Sequence, residues 1–262
     1  MNFLHSFHPK AIPFSVGPLN VHWYGLFIVL GVLVGFFLAL YAAKKKQVDT
    51  NHIYNLFFYF IIFGLIGGRL VHVLSEWGYY NHHLSEIYKI WLGGLGLHGV
   101  ILGCLIALII YARIKKLSFW LIADTLVIGI PLAQFIGRWG NYFNQEIFGK
   151  PTNLLWGIPI NYDQRPYGFL DSEYFHPLFL YESLLDLIIF IILLMLSRAK
   201  FIKHGELLMI YFIAYSAVRF SLDFLRINPI SAGPLSLVQW VSLLLILSSV
   251  VIIIFRRKKA LN

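Results

Sequence analysis

Long apolar stretches alternate with short polar ones along this chain, and the apolar stretches share a length. The runs at 19–43, 54–74, 91–112, 119–137, 178–197, 206–226 and 236–255 are mostly apolar throughout. Each comes close to the ~20 residues that a helix needs to cross hydrocarbon. They predict seven membrane-spanning helices and an all-α, polytopic membrane protein. The polar stretches between them are not equivalent. Lys44, Lys45 and Lys46 follow the first run, Arg113, Lys115 and Lys116 the third, Arg198, Lys200 and Lys203 the fifth, and Arg256, Arg257, Lys258 and Lys259 the seventh. These thirteen of the 21 Lys and Arg fall on one side, which the positive-inside rule makes cytoplasmic. The N-terminus is then outside and the C-terminus cytoplasmic. The first run ends in LYAAKKK, a stop-transfer pattern without a cleavage site, so it predicts a retained helix.

One connection is long. Residues 138–177, between the fourth and fifth runs, contain Pro151, Pro159, Pro166 and Pro177 with Gly149, Gly157 and Gly168. Proline at this density rules out a regular helix over most of the segment. It reads as a small extracytoplasmic cap within a single transmembrane domain spanning 1–262, with a short hairpin around LLWGIPI. No internal repeat is visible.

Composition agrees with this pattern. Of 262 residues, 59% are hydrophobic and 13% charged, about half the charged share of a soluble domain. The net charge of +9 could suggest nucleic acid, but the cations sit in short clusters between apolar runs, which is topology rather than a binding stripe. One cysteine, Cys104, excludes an internal disulfide framework and reads as a small packing residue.

Polar residues inside the runs are the expensive ones. An arginine or carboxylate in hydrocarbon costs about 2.5–3.5 kcal/mol on insertion scales. Tyr24 and Arg69 lie in the outer parts of runs one and two, and His98 seven residues into run three, about 10 Å below its start. Arg138, Asn141 and Glu146 leave run four at its outer end. Glu182 lies just inside run five, and Arg219 about two turns from the outer end of run six. All fall in the outer half of the membrane, which predicts a shared polar cavity. Three arginines favour an anion, because their forked donors suit phosphate oxygens. An anion reached from the outer leaflet is most simply a phospholipid headgroup. The alternative is that the arginines only pair with Glu146, Glu182 and Asp223 to lock helices together; Arg219 and Asp223, four apart, can meet on one helix face.

Other signals carry less. GLGLHG at 94–99 matches G-x-G-x-x-G, but no βαβ unit can surround it in a membrane span. Gly94, Gly96, Gly99 and Gly103, with Gly64 and Gly68 in run two, instead clear a face for close helix approach. His98 interrupts that face, either as a tie between helices or as a proton-transfer group beside the arginines. Asp124, near the cytoplasmic end of run four, reads as structural. No spacing suggests a metal site or a serine nucleophile, and no cofactor is expected.

GRWGNYFNQE at 137–146 resembles the signature of the prolipoprotein diacylglyceryl transferase family, G-R-x-G-N-F-x-N-x-E. WYG (23–25), GGR (67–69), LHG (97–99), HPLFLYE (176–182) and YSAVR (215–219) match that family's other blocks in order. The resemblance implies transfer of a diacylglyceryl group from phosphatidylglycerol to the lipobox cysteine thiol of a bacterial prolipoprotein, releasing glycerol phosphate. It implies a multi-pass protein of the bacterial cytoplasmic membrane whose active site faces the outer leaflet. Its partners would be phosphatidylglycerol, the lipobox segment and the bilayer, with no nucleic acid. Arg138 and Arg219 match the family's essential arginines, and Asn141, Glu146, Tyr24, Tyr215 and His98 match residues of its active site. Asn144 would add a neutral hydrogen bond, Glu146 would position an arginine, and Gly137 and Gly140 would let backbone crowd the lipid. Arg69, Glu182 and Asp223 are supporting candidates. The chain departs at two places: Leu178 and Phe179 replace a small hydroxyl residue and glutamine, and Asp223 replaces a glutamate.

On this reading Arg138 and Arg219 clamp the phosphate and stabilise its departing charge, while His98 serves as base or the thiolate forms without one. The rival is a carrier for an anionic lipid or metabolite, which would be expected to show repeats and midplane charges.

Overall fold

The computed structural model describes residues 3–17 and 19–259; residues 1, 2, 18 and 260–262 of the expected single domain lie outside the described residues. The chain is mostly helical. Its long helices are α1 (Trp23–Lys45), α2 (Thr50–Ser75), α3 (Leu97–Ile114), α4 (Phe119–Phe143), α5 (Leu178–Leu196), α6 (Glu206–Asp223) and α7 (Leu237–Lys259). Six of these, all but α6, are long and apolar enough to cross a membrane, which makes this a multi-pass membrane protein. Helix α6 stands where a seventh span was expected and carries Glu206, Arg219 and Asp223 within 18 residues.

The chain divides into two compact units: Met1–Leu38 with Leu126–Asn262, and Ala39–Thr125. In the second unit α2 packs along α3. The glycine face read from the sequence, joined by Gly67, which that reading did not include, is the reason they meet so closely. A Cβ added at Gly99 would stand 2.1 Å from the Gly67 carbonyl oxygen, and one at Gly67 2.3 Å from that of Gly99. Only backbone fits there, the small-residue contact that membrane helices use. Helix α3 starts later than the apolar run. Gly93 (φ 88°) and Gly94 (φ 79°) take left-handed backbone, and a short 3-10 turn at Ile90–Leu92 precedes them. Cys104 is half-buried, with Sγ 3.6 Å from the Phe60 carbonyl oxygen, as expected of a packing residue. Asp124 is buried with the Lys46 ammonium 4.0 Å away, a structural pairing.

In the first unit α4 packs on α5, α5 on α6, and α6 on α7. Helix α4 changes winding at Val127–Gly129, a 3-10 turn followed by Pro131 in the first turn of its second half. Proline supplies no N–H, so it is tolerated only where a helix starts. Helix α7 opens on a reciprocal cap: Ser236 Oγ accepts from Gln239 N at 3.1 Å, and Gln239 Oε1 accepts from Ser236 N at 2.9 Å. The 144–177 connection is irregular, as its prolines require. The hairpin expected around LLWGIPI does not form locally; Ile158–Pro159 pairs antiparallel with Tyr174–Phe175 from the far end of the connection. Between them Tyr142, Ile158, Ile160, Phe175 and Phe179 make a small apolar core.

Candidate active site

The opening of the connection explains much of the GRWGNYFNQE stretch. Helix α4 ends at Phe143, and Gln145 (φ 51°) and Ile147 (φ 56°) turn the chain through left-handed backbone. Gln145, overlooked in the sequence, is the staple of this turn. It is buried, donates to the Pro9 carbonyl at 3.2 Å and accepts from Asn161 N at 2.7 Å. Three segments distant in sequence are thereby joined through one amide, whose donor and acceptor are both satisfied. Its signal was only its place beside Asn144 and Glu146.

The two glycines of the stretch differ. Gly140 faces Tyr24, whose ring would lie 3.0 Å from an added Cβ, so its missing side chain admits a tyrosine of α1 rather than lipid. Gly137 has open space where its side chain would be. Among the described residues Glu146 forms no ion pair with an arginine. Its Oε1 accepts from Asn141 Nδ2 at 2.8 Å, holding the amide of a buried asparagine. Asn144 closes α4 through its backbone N–H, which donates to the Gly140 carbonyl.

One turn back in α4, Arg138 reaches α5 and α6. Its Nε lies 2.7 Å from Glu182 Oε2, a close ion contact whose N–H is not aligned for a hydrogen bond. Its Nη2 donates to the Tyr215 hydroxyl at 3.4 Å. Arg219 Nη1 donates to the other oxygen of the same carboxylate, Glu182 Oε1. Glu182 is fully buried and holds both arginines, one from each side. Tyr211 stacks on Tyr215 at 5.6 Å between ring centroids and donates to Gln134 Oε1 at 3.0 Å, continuing the polar layer. A guanidinium has five N–H donors, so each arginine keeps donors beyond those used here.

The two arginines also have more acidic company than the sequence suggested. Asp186, one turn along α5 from Glu182, lies 4.0 Å from Arg138 Nε. It has no exposure, and neither of its oxygens has a hydrogen bond among the described residues. Two carboxyl groups thus face two guanidiniums. Asp186 was missed because it sits inside an apolar run, four residues after a carboxylate already noted. That i, i+4 spacing, which puts both on one face, was the available signal.

Asp223 does not meet Arg219, despite the four-residue spacing. It accepts from the Ser236 hydroxyl and so anchors the cap of α7. The departures at 178 and 179 have a packing reason. Leu178 and Phe179 are buried, and Phe179 stacks on Tyr142 at 4.5 Å, so this turn of α5 serves the apolar core.

The remaining candidates belong to the other unit. Arg69 is buried and spends its guanidinium on backbone carbonyls: Nε on Ile87 at 2.7 Å, Nη1 on Gly93 at 2.7 Å and Gly94 at 3.1 Å, and Nη2 on Glu86 at 2.5 Å. It also lies 5.2 Å from the Tyr80 ring centroid. That is a structural residue organising the 76–96 connection. His98 is not deep along a helix. With α3 beginning at Leu97, it stands in the first turn and is exposed. The two left-handed glycines displaced it from the depth that an uninterrupted helix would give.

Comparison with known proteins bears on this arrangement. The family model described as prolipoprotein diacylglyceryl transferase matches residues 11–255. The chain belongs to the prolipoprotein diacylglyceryl transferase family. A protein of Thermosynechococcus vestitus named phosphatidylglycerol–prolipoprotein diacylglyceryl transferase is 40% identical over 242 residues, covering 92% of this chain and 90% of the relative. Same-named proteins of Ligilactobacillus salivarius (36% over 260 residues, 98% and 96% covered) and Listeria welshimeri (40% over 253 residues, 96% and 90% covered) match as completely. The family match contains every candidate residue named above, from Tyr24 to Asp223.

Proposed function

We propose that this chain transfers the diacylglyceryl group of phosphatidylglycerol to the lipobox cysteine thiol of bacterial prolipoproteins, releasing glycerol phosphate, the first step of lipoprotein maturation. Relatives covering nine-tenths or more of the chain carry that activity in their names. The observation that ties it to chemistry is the pair Arg138 and Arg219, joined at Glu182 inside membrane helices.

In this reading α6 completes a set of seven spans, with the N-terminus outside and the 144–177 connection an extracytoplasmic cap. The site then faces the outer leaflet of the cytoplasmic membrane. Phosphatidylglycerol places its phosphodiester against the free donors of Arg138 and Arg219, with Asn141 and Tyr24 beside the headgroup. The thiol sulfur attacks the glyceryl carbon, the carbon–oxygen bond breaks, and its electron pair stays on the departing phosphate. Fixed guanidiniums stabilise that developing charge without reorganising, commonly the largest contribution to such a barrier. A cysteine thiol has a pKa of about 8.5, so a few per cent is thiolate near neutrality. Either His98 takes its proton or the thiolate forms without a dedicated base. Glu182 and Tyr215 set the spacing of the arginines, Glu146 orients Asn141, and Asp223 fixes the start of α7.

The deciding experiment is mass spectrometry of a lipobox peptide incubated with purified protein and phosphatidylglycerol. A mass gain of one diacylglyceryl unit with release of glycerol phosphate is expected. An unmodified peptide under conditions where the lipid is bound or moved would replace the transferase reading with a carrier.

A further inference from the structure

Arg138 and Arg219 face Glu182 and Asp186, but one further pair of neighbouring cations in the first unit has no such ion pair. It lies at a cavity of about 440 Å3 whose lining includes Lys150, Arg226, Asn228, Pro151, Phe169 and Pro229. This volume is within the range of about 300–1,000 Å3 usual for small-molecule sites. No carboxylate among the described residues lines it. Neither the Lys150 nor the Arg226 side chain takes part in an ion pair or hydrogen bond among the described residues. Lys150 comes from the 144–177 connection and Arg226 from the segment after α6, and the backbone fixes them side by side. Lys150 N donates to the Leu225 carbonyl at 2.8 Å, and Gly149 pairs with Arg226 in an antiparallel bridge. Two unpaired cations, Arg226 half-buried and Lys150 exposed, held side by side over apolar walls are an anion site in form.

Arg226 also continues the line of arginines. Arg226 follows Arg219 by seven residues, just past the end of α6. Successive cations along low-dielectric walls guide an anion by its field.

We propose that the Lys150–Arg226 cavity binds the glycerophosphate group, as released glycerol phosphate or as the headgroup still on its lipid. The inference rests on the transferase reading, whose product is a small, water-soluble phosphomonoester. The lysine and arginine would hold the phosphate, and the Asn228 amide would meet a glycerol hydroxyl.

The test is equilibrium dialysis of radiolabelled glycerol phosphate against the purified full-length protein in phosphatidylcholine nanodiscs, without peptide. Saturable binding is expected, weakened tenfold or more in Lys150→Gln/Arg226→Gln and retained in Lys150→Arg/Arg226→Lys, which keeps both charges and controls for folding. Displacement of the label when phosphatidylglycerol replaces part of the nanodisc lipid would assign the cavity to the lipid headgroup; persistence would assign it to the released product. Absence of saturable binding, or equal binding by the glutamine variant with an unchanged melting profile, overturns the proposal. Peptide modification by the same preparation is scored separately. An active enzyme that does not bind glycerol phosphate sinks the cavity alone. A preparation that binds it through these residues yet modifies no peptide sinks the transferase reading instead.

Discussion

Arg138 and Arg219, from different helices, close on the two oxygens of one buried carboxylate, that of Glu182. Neither arginine is fixed by its own helix, so their spacing is a property of α4, α5 and α6 packed together. Removing the shared partner should therefore disturb both. We expect Glu182→Gln to cost about 3–5 kcal/mol, the usual result of leaving a buried charge without its partner. Unfolding in mixed micelles measures it, and a variant as stable as wild type would mean that the carboxylate does not hold the pair.

Asp186 should behave in the opposite way. Its oxygens are buried without a hydrogen bond, so its charge is not matched as that of Glu182 is. Asp186→Asn keeps the shape and removes the charge. We expect stability to be kept or raised by ~1 kcal/mol, since buried ionic groups are often no better than neutral ones. A loss comparable to that of Glu182→Gln would show that Arg138 depends on both carboxylates.

Arg138→Lys and Arg219→Lys keep the charge but lose the planar fork that can bind a carboxylate on one edge and phosphate on another. Large losses in turnover are expected with normal membrane insertion. The informative assay is turnover at saturating phosphatidylglycerol. Near-wild-type rates in both variants would mean that a point charge is enough.

For His98 the expected signature is a pH profile. His98→Gln should lower the rate by roughly 10²–10⁴, the range for a positioned acid–base group. Raising the pH toward the thiol pKa of about 8.5 should restore part of it, because the substrate then ionises unaided. A modest loss, with a profile parallel to wild type, would leave the arginines alone at the centre.

Gly99→Ala tests the close approach of α2 and α3. The new Cβ would meet a backbone oxygen at 2.1 Å, which cannot swing aside as a side chain could. Overpacking of this kind costs about 1–3 kcal/mol. Gly137→Ala, with open space at its Cβ, is the matched control and should change stability little.

The sequence by itself determined the helices, because crossing hydrocarbon imposes a length and an apolarity visible in single runs. It also singled out the arginines inside the apolar runs and the glycines of α2 and α3 that clear a face, since both are costly choices in a membrane. Tertiary structure alone decided who pairs with whom. Arg219 takes Glu182 from another helix rather than Asp223 from its own, and Glu146 takes Asn141 rather than an arginine. Spacing lists the partners within reach along one helix, but packing chooses among all neighbours, and most of those are distant in sequence. His98 shows the same limit in depth. A run of apolar letters gives no sign that Gly93 and Gly94 have turned left-handed, and those two dihedral angles move a histidine from mid-helix to the first turn.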